Sequence, residues 1–337
     1  MVHGDDFTIL GTGWDIQWVR NLLAAKYELK MRGVMGSPLN PGCTKEIVVL
    51  NRIVRWGGDG IEYEADPRHA EIIISELGLK GSKAVATPGV KCSTLDTAEP
   101  LAGREASQYR SLVARANYLA QDRMDIQYSV KELTRRMSCP DSEDWVALKR
   151  LGRYLVGKPR IVLRFNNQNL QRYIDCWVDT DWAGCTRTRR STSGGGIQWG
   201  GHALKTWSTT QATISLSSAE AEYYGLVKGA CQLMGIVALM KDFGITVMGR
   251  IHIDSSAAKG IASRTGLGKV RHIAVHLLWV QERLRNKDFE LLKCKGTDNP
   301  ADLLTKYLTR EDNERLTADW GAVPMSGRAE TAPECLI

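Results

Sequence analysis

The sequence predicts an α/β protein built around a mixed sheet with helices on its faces, and three observations carry that prediction. Residues 173–181, 194–200 and 203–208 alternate apolar and polar side chains, the last two runs separated by the turn Gly200-Gly201-His202. Residues 217–243 then read as one long helix. After it, helix-like and strand-like segments alternate: a strand over 251–254, a helix over 270–285, a strand over 289–294 and a closing helix over 300–308. Three strands in succession favour antiparallel pairing, whereas strands separated by helices favour parallel pairing, so the five strands together call for a mixed sheet.

In front of this unit lie two others. Residues 1–85 read as a short α/β segment, with a strand at 7–10, a helix at 14–26, a strand at 46–53 and a helix at 67–78. Met1 falls almost on a charged turn, as expected of a domain without its front half. Residues 86–168 form the second unit. It opens with a polar linker or long loop over 86–108 carrying Thr87-Pro88-Gly89 and Glu99-Pro100. It continues as helices over 107–164, because Tyr109, Leu112, Val113, Ala116 and Leu119, and later Trp145, Leu148, Leu151 and Leu155, recur at helical spacing. Lys149, Arg150 and Arg153 accompany the second set. Composition favours a solvated basic face there, and the alternative is a helix tracking a phosphate backbone. Residues 165–171 read as a linker, 169–310 as the mixed-sheet domain, and 311–337, polar and holding Pro324 and Pro333, as a disordered tail.

A length of 337 residues suits about two or three domains. The chain is 43% hydrophobic and 25% charged, which is ample for real cores. Its net charge of +7 suits a polyanionic partner, because Lys and Arg displace counterions from phosphates. The cysteines at 43, 92, 139, 176, 185, 231, 294 and 335 form no CxxC pair and no Cys/His cluster, which argues against a zinc site and a disulfide framework and favours a reducing interior. The N-terminus is not a signal peptide. The longest mostly apolar stretch, around 231–240, is about half of the roughly 20 residues a membrane helix needs.

The acidic residues point to chemistry. Phosphodiester hydrolysis needs an activated water and neutralisation of the leaving oxygen, and two metal ions about 3.5–4 Å apart do both. Magnesium takes oxygen ligands, so such a site consists of several acids that reach one point from different elements. Asp179 lies in Trp177-Val178-Asp179-Thr180-Asp181-Trp182 near the end of the first strand, with Asp181 on the same side. Glu222 lies early in the long helix, Asp254 ends a strand, and Asp302 follows Asn299-Pro300-Ala301. Each also has a local explanation. Ser217 and Glu220 have capping-box spacing. Asn299 and Pro300 suit a helix start whose dipole Asp302 would complement. Asp254 suits a turn. Glu222 has no such role. Gly225 and Gly229 share its stripe and would let the helix approach the sheet closely. Taken singly these acids read as structural, and together they form a candidate site.

These residues resemble the ribonuclease H of copia-type long-terminal-repeat retrotransposons. The resemblance runs through Val178-Asp179-Thr180-Asp181-Trp182-Ala183-Gly184-Cys185, Arg190-Ser191-Thr192-Ser193-Gly194, Ser217-Ser218-Ala219-Glu220-Ala221-Glu222-Tyr223, Arg271-His272-Ile273 and Ala301-Asp302-Leu303-Leu304-Thr305-Lys306. It implies a ribonuclease H-like fold and hydrolysis of the RNA strand of RNA–DNA hybrids. It also implies a catalytic and metal-binding set of Asp179, Glu222, Asp254 and Asp302 for two Mg2+ ions, or Mn2+. In that scheme Asp179 bridges both ions, Glu222 and Asp254 hold one, and Asp302 holds the other. The product keeps a 5′ phosphate, and 2′-hydroxyl contacts across the minor groove select the hybrid.

Upstream, Tyr109-Arg110-Ser111-Leu112-Val113, Arg123-Met124-Asp125-Ile126 and Leu151-Gly152-Arg153-Tyr154-Leu155 resemble the thumb and connection of the same family's reverse transcriptase. This favours nucleic acid as the partner of Lys149, Arg150 and Arg153. His3-Gly4-Asp5-Asp6 sits where the family has its Tyr-x-Asp-Asp turn, so Asp5 and Asp6 would be metal carboxylates of an incomplete polymerase site. The third polymerase aspartate and the fingers are not in this chain, so no polymerase activity is expected from it alone. The family's Tyr-His pair corresponds to Leu277 and Leu278, which leaves the roles of His272 and His276 open. Integrase-type enzymes of the same fold class generally lack this glutamate, so they fit less well. A remnant that only binds nucleic acid is the other alternative. The implied partners are an RNA–DNA hybrid and other parts of a retrotransposon polyprotein. No membrane association is expected, and the implied setting is the cytoplasm, a virus-like particle or the nucleus.

Overall fold

The structure is a computed structural model that describes residues 1–37, 39–91, 98–268 and 270–335, so Cys92 lies outside the described residues. Val2–His3 (β1) and Asp6–Phe7 (β2) form a minimal hairpin that stops short of the strand expected over 7–10. Helix Gly13–Ala24 (α1) starts at a capping box made by Thr12 and Asp15. The strand expected over 46–53 is two strands, Glu46–Val49 (β3) and Arg52–Trp56 (β4). Leu50 and Asn51 between them have φ of +49° and +66°, as a two-residue type I′ hairpin turn requires. An apolar Leu at a left-handed position conceals that turn. Gly60–Glu64 (β5) follows, then helix Arg68–Glu76 (α2).

The helical segment resolves into Gly103–Leu119 (α3), Met124–Thr134 (α4) and Ser142–Gly157 (α5). They bury the expected stripes, with Tyr109, Leu112, Leu148 and Leu151 all at 0% exposure. Helix does not continue to 164, because Arg160–Asn166 is a strand (β6) in which Ile161 and Val162 are buried. The β-branched pair packs on a sheet, and the linker expected over 165–171 begins only after it.

The central sheet consists of Tyr173–Asp181 (β7), Thr192–Trp199 (β8) and His202–Thr210 (β9), then Met248–Ile253 (β10) after helix Ser218–Asp242 (α6). Helices Ser256–Ala262 (α7) and Trp279–Arg285 (α8) lead to Phe289–Lys293 (β11). The order is β11-β10-β7-β8-β9, with β7, β8 and β9 antiparallel and β10 parallel to both β7 and β11. This is the mixed α/β architecture, a five-stranded sheet with flanking helices, that the sequence predicts. The helix expected over 270–285 is partly a 3-10 turn at Val275–Leu278, and the closing helix is a 3-10 turn at Pro300–Leu304.

By length and composition alone α6 could cross a membrane, since its most apolar window has a mean hydropathy of 1.3. The shorter stretch at 231–240 understates it because the helix tolerates interspersed polar residues. Its packing is that of a core helix. A Cβ on Gly225 would lie 2.6 Å from Thr180 Oγ1, and one on Gly229 would lie 2.5 Å from Val178 Cγ1. Both glycines therefore set the helix–sheet spacing. Gly229→Leu should destabilise this domain by about 1–3 kcal/mol or more through overpacking. Gly235→Ala, where a Cβ meets nothing within 4 Å, should stabilise by up to about 1 kcal/mol. Urea unfolding of both variants checks this, and a wild-type midpoint for Gly229→Leu would show that the close approach is dispensable.

The tail expected to be disordered is structured. Helix Arg310–Asp319 (α9) leads into strand Ala322–Met325 (β12), which pairs antiparallel with β6. Trp320 is fully buried and donates from Nε1 to the Pro300 carbonyl at 3.1 Å. The charged residues of α9 mask Leu316 and Trp320 in a composition count, and Pro324 is tolerated because β12 is an edge strand. The second sheet, β12-β6-β5-β4-β3, thus joins strands from the front, the middle and the end of the chain.

Candidate active site

The acids converge at the carboxyl ends of two parallel strands. Val178 and Thr180 face α6, so alternation places Asp179 on the opposite face of β7. The Pro300–Leu304 turn covers that face, since a Cβ on Gly194, the cross-strand partner of Asp179, would strike Leu304 and Thr305. Asn299 anchors the turn by donating from Nδ2 to the Val178 carbonyl at 2.9 Å, and it caps the turn by accepting from the Ala301 amide. Glu222 reaches the same point from the α6 side, which the Gly225 contact makes close enough. Asp254 directly follows β10. Ligand oxygens of Asp179, Glu222 and Asp254 all lie within 4.8 Å of one another. Asp302 lies beside them. It shares a hydrogen bond with Asp179, and Lys306 Nζ is 2.8 Å from its Oδ1 and 3.8 Å from Asp179 Oδ2.

Crowded carboxylates resist ionisation. Burial, then the charges of Asp179 and Asp254, pushes Glu222 up to about 9. Burial and Asp179 push Asp302 to about 7, against the pull of Lys306. Burial and Asp179 also raise Asp254. Asp179 is 4% exposed and accepts a hydrogen bond from the Thr305 hydroxyl. Glu222 is 9% exposed; a Thr180 backbone hydrogen bond reaches its carboxyl, while its Oε2 is buried with no hydrogen-bond partner. An orphaned carboxylate oxygen facing two other acids fits a bound cation. All-oxygen donors fit a hard divalent ion such as Mg2+ or Mn2+. Thr305 and Lys306, which hold Asp179, were not singled out from sequence. The signal available was the (i, i+4) spacing of Asp302 and Lys306.

The other acids fall outside the cluster. Asp181 is raised by burial and Asp179, and its carboxylate sits where a Cβ on Gly184 would be. Glu220 serves the helix start. Its amide donates to Ser217 Oγ, and its carboxylate accepts from the Leu216 amide, the Tyr224 hydroxyl and His272 Nε2 at 2.8–2.9 Å. The reciprocal bond goes to Leu216 rather than to the cap residue itself. His272 is thereby tied to Glu220, and His276 lies in the 3-10 turn before α8. Asp5 and Asp6 are exposed. Asp6 faces Arg32 at 3.4 Å, and among the described residues no further acid joins them in a metal-binding group. Of the basic trio, Arg150 donates to Thr87 Oγ1, Arg153 donates to the Lys83 carbonyl, and Lys149 lies over the Trp145 ring. Two of the three thus pin the 83–87 segment to α5, instead of forming the purely solvated face that composition favoured.

No protein-family model matches the chain. It is 28% identical over 262 residues to the retrovirus-related Pol polyprotein from transposon RE2 of Arabidopsis thaliana, covering 76% of this chain and 18% of that protein. It is 26% identical over 274 residues to the corresponding polyprotein from transposon TNT 1-94 of Nicotiana tabacum, covering 78% of this chain and 20% of that one. The chain therefore spans about a fifth of the length of these curated relatives. Among solved structures, LC11 ribonuclease H1, isolated from compost by a metagenomic approach, is similar with a TM-score of 0.30 at 16% identity, over 40% of this chain and 94% of that one.

Proposed function

We propose, from the similarity to these retrovirus-related Pol polyproteins of transposons and from the geometry of the site, that the chain hydrolyses the RNA strand of RNA–DNA hybrids at the Asp179 site. The observation that carries this reading is the meeting of Asp179, Glu222 and Asp254 around an unpartnered Glu222 oxygen. Asp179, Glu222 and Asp254 would hold one divalent ion, and Asp179 with Asp302 a second. Bound divalent ions supply a water nucleophile at neutral pH and neutralise charge on the departing 3′ oxygen. The protein's own groups set the stage. The Thr305 hydroxyl orients Asp179, and the Lys306 ammonium offsets the charge of Asp179 and Asp302. Asn299 fixes the Asp302 turn against β7.

The test is cleavage of a labelled RNA strand by the purified chain, in a hybrid, in double-stranded RNA and in single-stranded RNA, with and without Mg2+ or Mn2+. Cation-dependent cutting confined to the hybrid is expected. Hybrid binding with no cutting at any cation concentration would instead make the chain a nucleic-acid-binding remnant.

A further inference from the structure

Lys306 lies across the two carboxylates assigned above to a second ion. Its Nζ is 2.8 Å from Asp302 Oδ1 and 3.8 Å from Asp179 Oδ2, and its charge also reaches Glu222 and Asp254. Asp179 and Asp302 share a hydrogen bond, so the ammonium faces a joined pair of acids. Asp179, Glu222 and Asp254 bring ligand oxygens within 4.8 Å of one another, around the orphaned Oε2 of a Glu222 that is 9% exposed. Asp302 instead directs its carboxylate to Lys306 and Asp179. The four acids thus divide into three that face one another and a fourth that faces a cation of the chain itself.

The backbone that carries Lys306 is held, while its side chain is free to move. Leu304 and Thr305 are fully buried, Thr305 donates to Asp179, and Asn299 ties the preceding turn to β7. The Lys306 side chain is 45% exposed. It is a flexible four-carbon stem with a compact charge at its end, so the ammonium can swing into solvent without disturbing the turn. An ion pair this open to water is weak. A divalent ion and the ammonium are like charges that need the same oxygens, so they exclude each other. We propose that the Lys306 ammonium is a tethered counter-ion on the second ion's oxygens, displaced when that ion binds, so that the two ions load in order with the Asp179–Glu222–Asp254 group first. The inference rests on the two-ion hydrolase reading above and adds the order of loading and the residue that sets it.

The test titrates the full, chelator-treated chain with Mn2+ and follows it by electron paramagnetic resonance, in which the spin-coupled signal of two neighbouring Mn2+ ions reports the second site. In Lys306→Gln that signal should appear at about 5- to 10-fold lower free Mn2+ than in wild type, with a smaller gain for the first ion. Lys306→Arg keeps the charge and should behave as wild type. Lys293 also lies beside Asp254, where it donates to the backbone carbonyl, but it bridges no pair of carboxylates. Lys293→Gln should therefore leave the onset of the coupled signal close to wild type. Melting supplies a second readout. Without divalent ions Lys306→Gln should melt roughly 2–4 °C below wild type, because two acids lose their counter-ion, and saturating Mn2+ should close that gap. An onset in Lys306→Gln that is unchanged or moved to higher Mn2+, or an equal shift in Lys293→Gln, would overturn the displacement even in a chain that cuts the hybrid. The expected shifts in a chain that cuts no RNA would support the displacement and overturn the hydrolase reading. A wild-type chain that binds no Mn2+ would overturn both.

Discussion

Asp179→Asn should reduce hybrid cleavage by on the order of 10³-fold while leaving the fold and hybrid binding in place. Metal-assisted charge stabilisation contributes several kcal/mol to such a reaction, and about 1.4 kcal/mol is a factor of ten. Asp179 is the residue through which that stabilisation has to pass. Its charge helps to raise Glu222, Asp254, Asp302 and Asp181, so it is the acid that all the others feel. Asparagine keeps the shape and an oxygen that can accept from Thr305, and it loses the charge. The loss should appear in kcat, with KM for the hybrid little changed. Asp181→Asn should cost far less, because Asp181 lies outside the three-acid group. Initial rates with circular dichroism on each variant check this, and near-normal cutting by Asp179→Asn would remove it from the catalytic centre.

The second large effect concerns pH. Glu222 is raised from 4.5 to about 9 and Asp302 from 3.8 to about 7 in the folded chain. Between the unfolded and folded values the folded state holds protons that the unfolded state has released. Without a divalent ion, stability is therefore lost as pH rises through that window. Burial notwithstanding, hydrogen bonds from Thr188 and Arg135 bring the Cys185 thiol to about 7, which acts in the opposite direction between pH 7 and 9. Comparison of wild type with Glu222→Gln cancels that contribution. At pH 8, without divalent ions, Glu222→Gln should melt higher than wild type by roughly 4–8 °C for a gain of about 2 kcal/mol. Cation binding requires the ionised carboxylates, so Mn2+ should raise the wild-type melting temperature more at pH 9 than at pH 6.5 and should release protons on binding. Glu222→Gln should lose most of that gain. Equal melting of the two chains at pH 8 would mean that folded Glu222 does not hold the extra proton.

The central sheet, its hairpin and the long helix are legible in the sequence because their information is local. Alternation in β7, the Gly200-Gly201 turn and the Ser217 cap each act within a few residues. The four acids are legible as candidates for the same reason, since each ends or begins an element. Elements whose evidence is not local are misread. Leu50 reads as strand but turns, because φ at one residue leaves no hydrophobic signature. Residues 160–164 read as the end of a helix, 165–166 as the start of a linker and 311–325 as part of a disordered tail, because β6 and β12 become ordered only by pairing with distant strands. The basic residues of α5 are legible as charges but not as tethers, since Thr87 and Lys83 meet them only in the folded chain.

By itself, then, the sequence determined the architecture of residues 173–304 and the short roll of acids from which an active site can be drawn. The tertiary structure alone decided which acids meet. Gly225 and Gly229 bring α6 down onto β7, Asn299 holds the Pro300–Leu304 turn over its other face, and Asp179 is left between Glu222, Asp254 and Asp302. Asp181 and Glu220 have the same chemistry at neighbouring positions and point elsewhere. The physical reason is that periodicity encodes the face a side chain takes, whereas the few ångströms separating a ligand set from a surface acid depend on packing between elements remote in the chain.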